Sequence, residues 1–292
     1  MATNPSLRPA YVACVTVCIL WGTTYLAIRI ALETVPPMLM GGLRWTVAGA
    51  LILLVMKLRR ERVPGAAEWP ALALLGVLLI GLGNGGVVWA EQTLPSGLTA
   101  VLVAVIPFWM IGVEWLAGAR EPLGWRRGAG LVVGFGGIVL LVWPELELGE
   151  GMPFIVGVAA TQLACLGWAI GSSFSRRRHP SENVLGMAAY QMLFGGLVML
   201  LAGTAHREWG SLAFSGRSAS ALAYLVVFGS LAGYSAYAYA LKHLPTTTVT
   251  LYAYVNPVIA MVLGTLVLDE PMSLRVAAAG AIVLAGMAMV RR

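Results

Sequence analysis

Charge is what this sequence has least of. Only 11% of its 292 residues are charged, and 59% are hydrophobic. A soluble globular domain carries roughly 25% charged and 45–50% apolar residues. So few charged side chains cannot cover a water-facing surface, and lipid must be the solvent for most of the chain. The composition therefore excludes a soluble globular protein and predicts an integral membrane protein.

Residues for metal, redox and ATP chemistry are also scarce. The three cysteines lie in apolar runs, where they are expected to be small buried hydrophobes, and the three histidines are too far apart for metal-ligand spacing. The chain has no G-x-x-x-x-G-K-[ST] motif. Gly81–Gly86 fits G-x-G-x-x-G, but it lies inside an apolar run, where close helix packing explains it better. We expect no enzyme activity, no cofactor, no metal and no nucleic-acid partner.

Long apolar runs are abundant. A bilayer core of about 30 Å needs about 20 residues of apolar helix. Ten runs meet this requirement, separated by glycine, proline or charge, near 10–32, 37–57, 70–91, 96–118, 125–143, 153–175, 184–204, 219–241, 246–268 and 273–290. The sequence predicts an all-α membrane protein with ten transmembrane helices.

The distribution of Lys and Arg predicts the orientation. If the N-terminus is cytoplasmic, fourteen of the 19 basic residues fall in inner segments, four fall in outer loops, and Arg44 lies within a span. Cytoplasmic loops carry the excess of basic residues in membrane proteins. We expect a multi-pass protein of the inner (plasma) membrane with both termini in the cytoplasm. The net charge of +6 reflects this topology.

The two halves of the chain resemble each other. A shift of 147 residues places Cys18–Trp21 on Cys165–Trp168, and Gly49 on Gly196; a shift of 150 places Gly83 on Gly233, and Pro107 on Pro257. Five spans per half make 1–147 and 148–292 two repeats of opposite orientation. Such inverted five-helix repeats are typical of secondary transporters, although channels can share them.

Several motifs resemble one known family. They are Trp21–Arg29 with Pro36–Pro37, Gly83–Glu91, Pro95–Gly97, Tyr252–Pro257, Gly264 and Asp269–Pro271. They resemble the EamA-type members of the drug/metabolite transporter superfamily, closest to the YedA-like group of bacterial exporters. The resemblance implies ten helices, a central cavity between the repeats, and efflux of amino acids, related metabolites or toxic compounds. The motifs are specific for the family and weak for the substrate.

A substrate site is expected near the membrane midplane, at the repeat interface. Midspan aromatic and amide side chains form the predicted binding set: Trp21, Tyr25, Asn84, Trp89, Trp109, Trp168, Tyr234, Tyr252 and Asn256. Aromatic faces suit apolar, aromatic or cationic solutes, and a midplane amide needs a hydrogen-bond partner. The alternative for each is interhelical packing or, for the aromatics, an interfacial belt.

A second set is predicted to gate or couple transport: Arg29, Arg44, Glu91, Pro107 and Pro257. A charge within the membrane costs roughly 2.5–3.5 kcal/mol on insertion scales, so Glu91 is expected to pair with Arg44 or Arg29 in an outer gate or a proton-coupling site. A structural pair or snorkelling to the headgroups is the alternative. The two prolines each remove a backbone donor at midspan, which suits a hinge, a pocket carbonyl or a static bend.

These features predict a secondary active transporter. It would export small metabolites, such as amino acids or amphipathic and cationic drugs, by alternating access, with protons as a possible counter-substrate. A passive facilitator or channel is the alternative. An integral membrane enzyme would need catalytic groups clustered on one face, and the sequence has no such cluster. The sequence carries no signal for the oligomeric state.

Overall fold

The computed structural model describes residues 7–118, 124–147, 151–177, 183–244, 246–249, 251–271 and 273–291. These residues form helices joined by short loops, and no strand occurs among them. Seven of its helices are long and apolar enough to cross a membrane, and three shorter apolar helices bring the total in these ranges to ten. The predicted multi-pass helical membrane protein is confirmed.

The ten helices follow the predicted runs within a few residues. Five lie in the first half: α1 Arg8–Ala31, α2 Pro37–Leu58, α3 Ala66–Ala90, α4 Ser96–Leu116 and α5 Trp125–Glu147. The others are α6 Met152–Arg177, α7 Val184–Ala205, α8 with the segments Gly216–Tyr224, Leu225–Ala232 and Gly233–His243, α9 with Thr246–Val249 and Tyr252–Leu268, and α10 Leu274–Arg291.

Carboxylates from distant loops cap two of these helices. The Glu270 carboxylate accepts hydrogen bonds from the Ser96 backbone N–H at 2.9 Å and the Ser96 hydroxyl at 2.7 Å, at the start of α4. The Glu208 carboxylate accepts from the Leu39 backbone N–H at 2.9 Å, at the start of α2. Helix N-termini leave amides unpaired and attract negative charge. Both caps tie loops of the second half to helices of the first.

Three spans depart from regular α-helix near their middles, and a fourth has a proline inside its helix. Gly76–Asn84 in α3 and Leu225–Ala232 in α8 are π-helical, a conformation that often marks functional sites. In α4 the helix is interrupted between Ser96–Val103 and Ile106–Leu116, just before Pro107, and Pro257 lies inside the second segment of α9. The two prolines are visible in the sequence, whereas nothing in the sequence predicted the π-helical segments.

Helices from the two halves pack on each other in matching pairs. Helix α2 packs on α7, α4 on α9, and α5 on α10, while α1 contacts α8 and α9 as α6 contacts α3 and α4. Helices α2 and α7 approach closely. A Cβ atom at Gly49 would lie 2.6 Å from the Ala189 carbonyl oxygen, and one at Gly196 would lie 2.5 Å from the Thr46 backbone nitrogen. Glycine lets these backbones touch, as small residues do in membrane helix pairs.

Candidate functional site

A cleft with two lobes lies between the halves of the chain. The large lobe has a volume of about 320 Å³, and the small lobe has a volume of about 100 Å³. The lobes are adjacent, since they share the lining residues Tyr25, Val103, Ile106, Trp168, Tyr234, Tyr252 and Asn256. Both halves of the chain contribute to this shared lining. We call the two lobes together the central cleft.

Most of the predicted site residues line the central cleft. Seven of the nine predicted binding residues do so: Trp21, Tyr25, Asn84, Trp168, Tyr234, Tyr252 and Asn256. From the predicted gating set, Arg44 lines the small lobe, and Pro107 and Pro257 line the large lobe. The structure therefore brings together residues from α1, α2, α3, α4, α6, α8 and α9.

Two predicted binding residues lie elsewhere. Trp89 is 36% exposed on the outside of the bundle. The Trp109 indole donates a hydrogen bond to the Gln162 side-chain oxygen at 3.0 Å, and its ring meets Phe135 edge-on with ring centroids 6.3 Å apart. Neither lines the lobes described above. A midspan position fixes the depth of a residue in the membrane but leaves open which face of the helix carries it.

Aromatic rings form the core of the cleft. The Trp21 ring centroid lies 4.9 Å from that of Tyr252 and 5.1 Å from that of Tyr237, and Tyr234 is 6.1 Å away. Tyr237 lines the large lobe but was not predicted from the sequence. Its spacing was the available signal, since residues three apart share a helix face, as Tyr234 and Tyr237 do.

The π-helical segment of α8 holds two cleft residues in place. The Trp21 indole N–H donates to the Gly229 carbonyl oxygen at 3.1 Å, and the Arg44 Nε donates to the Ser230 hydroxyl oxygen at 2.9 Å. Both acceptors belong to Leu225–Ala232. The irregular segment thus has a direct role, because it anchors side chains of α1 and α2 at the edge of the small lobe.

Trp21 and Trp168 rest on glycine in the same way. A Cβ atom at Gly233 would lie 2.6 Å from the Trp21 indole nitrogen, and one at Gly83 would lie 3.2 Å from the Trp168 ring. The sequence shifts pair Trp21 with Trp168 and Gly83 with Gly233. Each tryptophan therefore packs against a helix of the other half of the chain, beside the π-helical segment of that helix.

Arg44 is the buried cation of the small lobe. Its side chain is 3% exposed, and its guanidinium carbon lies 4.4 Å from the centroid of the Trp45 ring, a cation–π arrangement. The Arg44 Nη1 and the Trp45 indole N–H are buried donors without a hydrogen-bond partner in the described part of the chain, and the Asn256 Oδ1 is an acceptor in the same condition. All three residues line the small lobe.

The predicted pairing of Glu91 does not form in this conformation. Arg29 donates to the Glu91 backbone carbonyl instead of the carboxylate, and Arg44 is turned to Ser230. The Glu91 side chain is fully buried, and neither carboxylate oxygen has a hydrogen-bond partner within the described ranges. Its charged neighbours are Glu270, Arg29 and Arg44. Glu91 and Arg29 are therefore close to the cleft without lining it.

The far end of the large lobe carries a second arginine. Arg176 lines this lobe and pairs with Glu114 at 2.6 Å, while Arg177 reaches the same carboxylate at 3.2 Å. The pairing leaves the charge of Arg176 compensated. The two lobes are thus lined, within the residues described, by two arginines and by no Asp or Glu.

Comparison with known proteins gives a consistent result. The EamA-like transporter family model matches residues 8–143 and, a second time, residues 155–292. The chain is 36% identical over 265 residues to the uncharacterized inner membrane transporter YedA of Escherichia coli K12, covering 89% of this chain and 83% of YedA. It is 25% identical over 262 residues to the S-adenosylmethionine/S-adenosylhomocysteine transporter of Chlamydia trachomatis serovar L2, covering 86% and 79% of the two chains.

One solved crystal structure has the same fold. It superposes with a TM-score of 0.63 and covers 97% of this chain and 96% of its own, at 20% sequence identity. At that identity the likeness concerns the fold alone.

Proposed function

The chain belongs to the EamA-like transporter family, so that it is a membrane transporter and not an enzyme, and we propose that it is a secondary active exporter of small amphipathic metabolites. The single observation that carries the proposal is the central cleft, which both halves line with aromatic rings and amides. A site between two halves is what alternating access requires, because the halves can rock about the bound solute.

The two halves are proposed to be inverted five-helix repeats, 1–147 and 148–292. Three observations support this arrangement: the family model matches twice, helix contacts in one half have counterparts five helices along the chain, and Trp21 on Gly233 matches Trp168 on Gly83. An odd number of spans per half reverses the second repeat in the membrane. With the distribution of Lys and Arg, we place both termini in the cytoplasm of an inner-membrane protein.

The conformation fits an inward-facing state. The large lobe extends to Arg176 and Val184, where α6 ends and α7 begins, which is the cytoplasmic end in the proposed topology. At the opposite end Glu91, Leu94 and Ser96 are fully buried, so that this end is closed. Interruptions near Pro107 and the π-helical segments are the natural places for the bending that would open it.

Protons are the proposed coupling ion, with Glu91 as the group that carries them. A buried carboxylate without a donor is costly when charged, so that a change of conformation that exposes Glu91 would change its protonation. Arg29, Arg44, Pro107 and Pro257 complete the proposed gate. The amphipathic solute is proposed to bind Trp21, Tyr25, Trp168, Tyr234 and Tyr252 through its apolar part, and Asn84 and Asn256 through its polar part.

Counterflow in proteoliposomes tests the carrier proposal. Ligands are first found by thermal stabilisation of the purified protein, since a molecule that binds only the folded state raises apparent stability. A radiolabelled hit is then offered to vesicles preloaded with unlabelled compound. Saturable uptake that is accelerated by the preload supports a carrier. Linear flux that ignores the preload supports the second candidate, a passive facilitator, and refutes the proposal.

A further inference from the structure

The small lobe contains an unusual number of polar groups without partners. The Arg44 Nη1 and the Trp45 indole N–H are donors and the Asn256 Oδ1 is an acceptor. None of the three has a hydrogen-bond partner among the described residues. Arg44, Trp45 and Asn256 are 3%, 3% and 5% exposed. Buried polar atoms in native structures are nearly always hydrogen-bonded. Three exceptions around one small space indicate that a ligand supplies the missing partners.

Arg44 is held as a ligand-binding group would be. Ser230 accepts from its Nε, and the Trp45 ring lies 4.4 Å from its guanidinium carbon. These two contacts fix the plane of the guanidinium and leave Nη1 uncommitted. A planar fork held in advance suits a carboxylate, because less side-chain freedom is lost when it binds.

The charges of the cleft have one sign. Arg176 at the far end is compensated by Glu114. Arg44 makes no hydrogen bond or ion pair with Glu91, although Glu91 is close enough to attract it. The described lining contains no carboxylate that would bind an ammonium group. Attraction between charges is strong where water is excluded, so that the sign of Arg44 determines which solutes can enter the small lobe.

We propose that the small lobe is a carboxylate-binding site. Arg44 and Trp45 donate hydrogen bonds to the carboxylate, and the apolar body of the solute lies against Trp21, Tyr234 and Tyr252. This inference rests on the proposed function and narrows its substrates to organic carboxylates, as anions or zwitterions. It opposes the expectation, based on aromatic residues alone, that cationic drugs are substrates.

Three compounds with the same phenylethyl body test the charge preference: 3-phenylpropionate, L-phenylalanine and 2-phenylethylamine. Each is titrated against the full chain in detergent, and the shift of the thermal unfolding midpoint gives the affinity. The two carboxylates are expected to stabilise the wild type, and the amine is not. Stabilisation by phenylalanine alone also supports the site, with the Asn256 amide oxygen accepting from the ammonium group.

Variants then assign the site to Arg44. Arg44→Gln should weaken carboxylate binding about ten- to a hundredfold, the range for a hydrogen bond to a charged group. Trp45→Phe, which removes the indole N–H donor and keeps a smaller aromatic ring beside Arg44, should weaken it less. Arg217→Gln is the matched control. Arg217 is half-exposed, lies away from the cleft and pairs with Glu33 at a distance of 3.2 Å. The Arg217→Gln variant should bind the carboxylates as the wild type does.

Three results would overturn the site. They are equal or tighter binding of the amine by the wild type, unchanged carboxylate binding by Arg44→Gln, and binding of none of the three compounds. The first and third results need only the wild type. The site can therefore be refuted even if Arg44→Gln folds poorly. Counterflow with a solute that has no carboxylate would leave the carrier proposal standing while this inference fails.

Discussion

The Ser230 hydroxyl is expected to stabilise the protein through Arg44 alone. Ser230 is fully buried, and its oxygen accepts from the Arg44 Nε at 2.9 Å. A hydrogen bond to a charged group contributes about 1.5–3 kcal/mol. Ser230→Ala removes one oxygen atom and leaves a second buried guanidinium nitrogen without a partner. The free energy of unfolding should therefore fall by about 1.5–3 kcal/mol.

A double-mutant cycle measures this contribution. The wild type, Ser230→Ala, Arg44→Met and the double variant are unfolded by denaturant in detergent. Contacting residues couple by roughly 0.5–3 kcal/mol, so that Ser230→Ala should cost almost nothing once Arg44 is methionine. Ser220→Ala is the control, because this exposed serine on the same helix bonds only the Arg217 carbonyl, at 2.8 Å. Equal losses in both Arg44 backgrounds would refute the assignment of the hydrogen bond.

Three further predictions concern packing, coupling and binding. Gly49→Val should lower the free energy of unfolding by about 1–3 kcal/mol through overpacking of α2 on α7, measured by denaturation in detergent. Gly136→Ala is the control and should not lower it, because Gly136 faces open space. Equal stabilities of the two variants would contradict the close approach of α2 and α7. Glu91→Gln should flatten the pH dependence of transport in proteoliposomes, and an unaltered pH profile would remove Glu91 from coupling. Trp21→Ala should weaken the binding of an aromatic ligand in thermal-shift titrations, while Trp109→Ala should leave it unchanged; the reverse order would place the site elsewhere.

The spans were predictable because the bilayer imposes a length and a polarity on every crossing. Runs such as 37–57 and 184–204 differ by a residue or so from the helices Pro37–Leu58 and Val184–Ala205. Glu270, which the sequence offered only as part of a family motif, caps the start of a distant helix. Length, polarity and charge are properties of a segment, and a segment is what a sequence shows directly.

Side-chain direction was less predictable. In a soluble protein the apolar stripe of a helix marks its buried face, but in a membrane both lipid and protein interior are apolar. Trp89 and Trp109 therefore looked like Trp21 and Trp168, although only the latter pair lines the cleft. The π-helical segments add to the difficulty. A turn of different size alters which residues share a face, and no motif in Gly76–Asn84 indicates it.

The chemistry of the cleft depends on charge more than on its aromatic lining. Rings such as Trp21 and Tyr252 attract cations through their faces and offer an apolar surface to any amphipathic molecule, so that the rings on their own favour an amine over a carboxylate. A buried arginine reverses this preference, because an amine beside Arg44 would meet charge repulsion where water cannot screen it. Burial of this charge is costly, and Ser230 and Trp45 offset only part of the cost. A substrate carboxylate would offset more of it, which gives Arg44 a reason to lie beside the cleft.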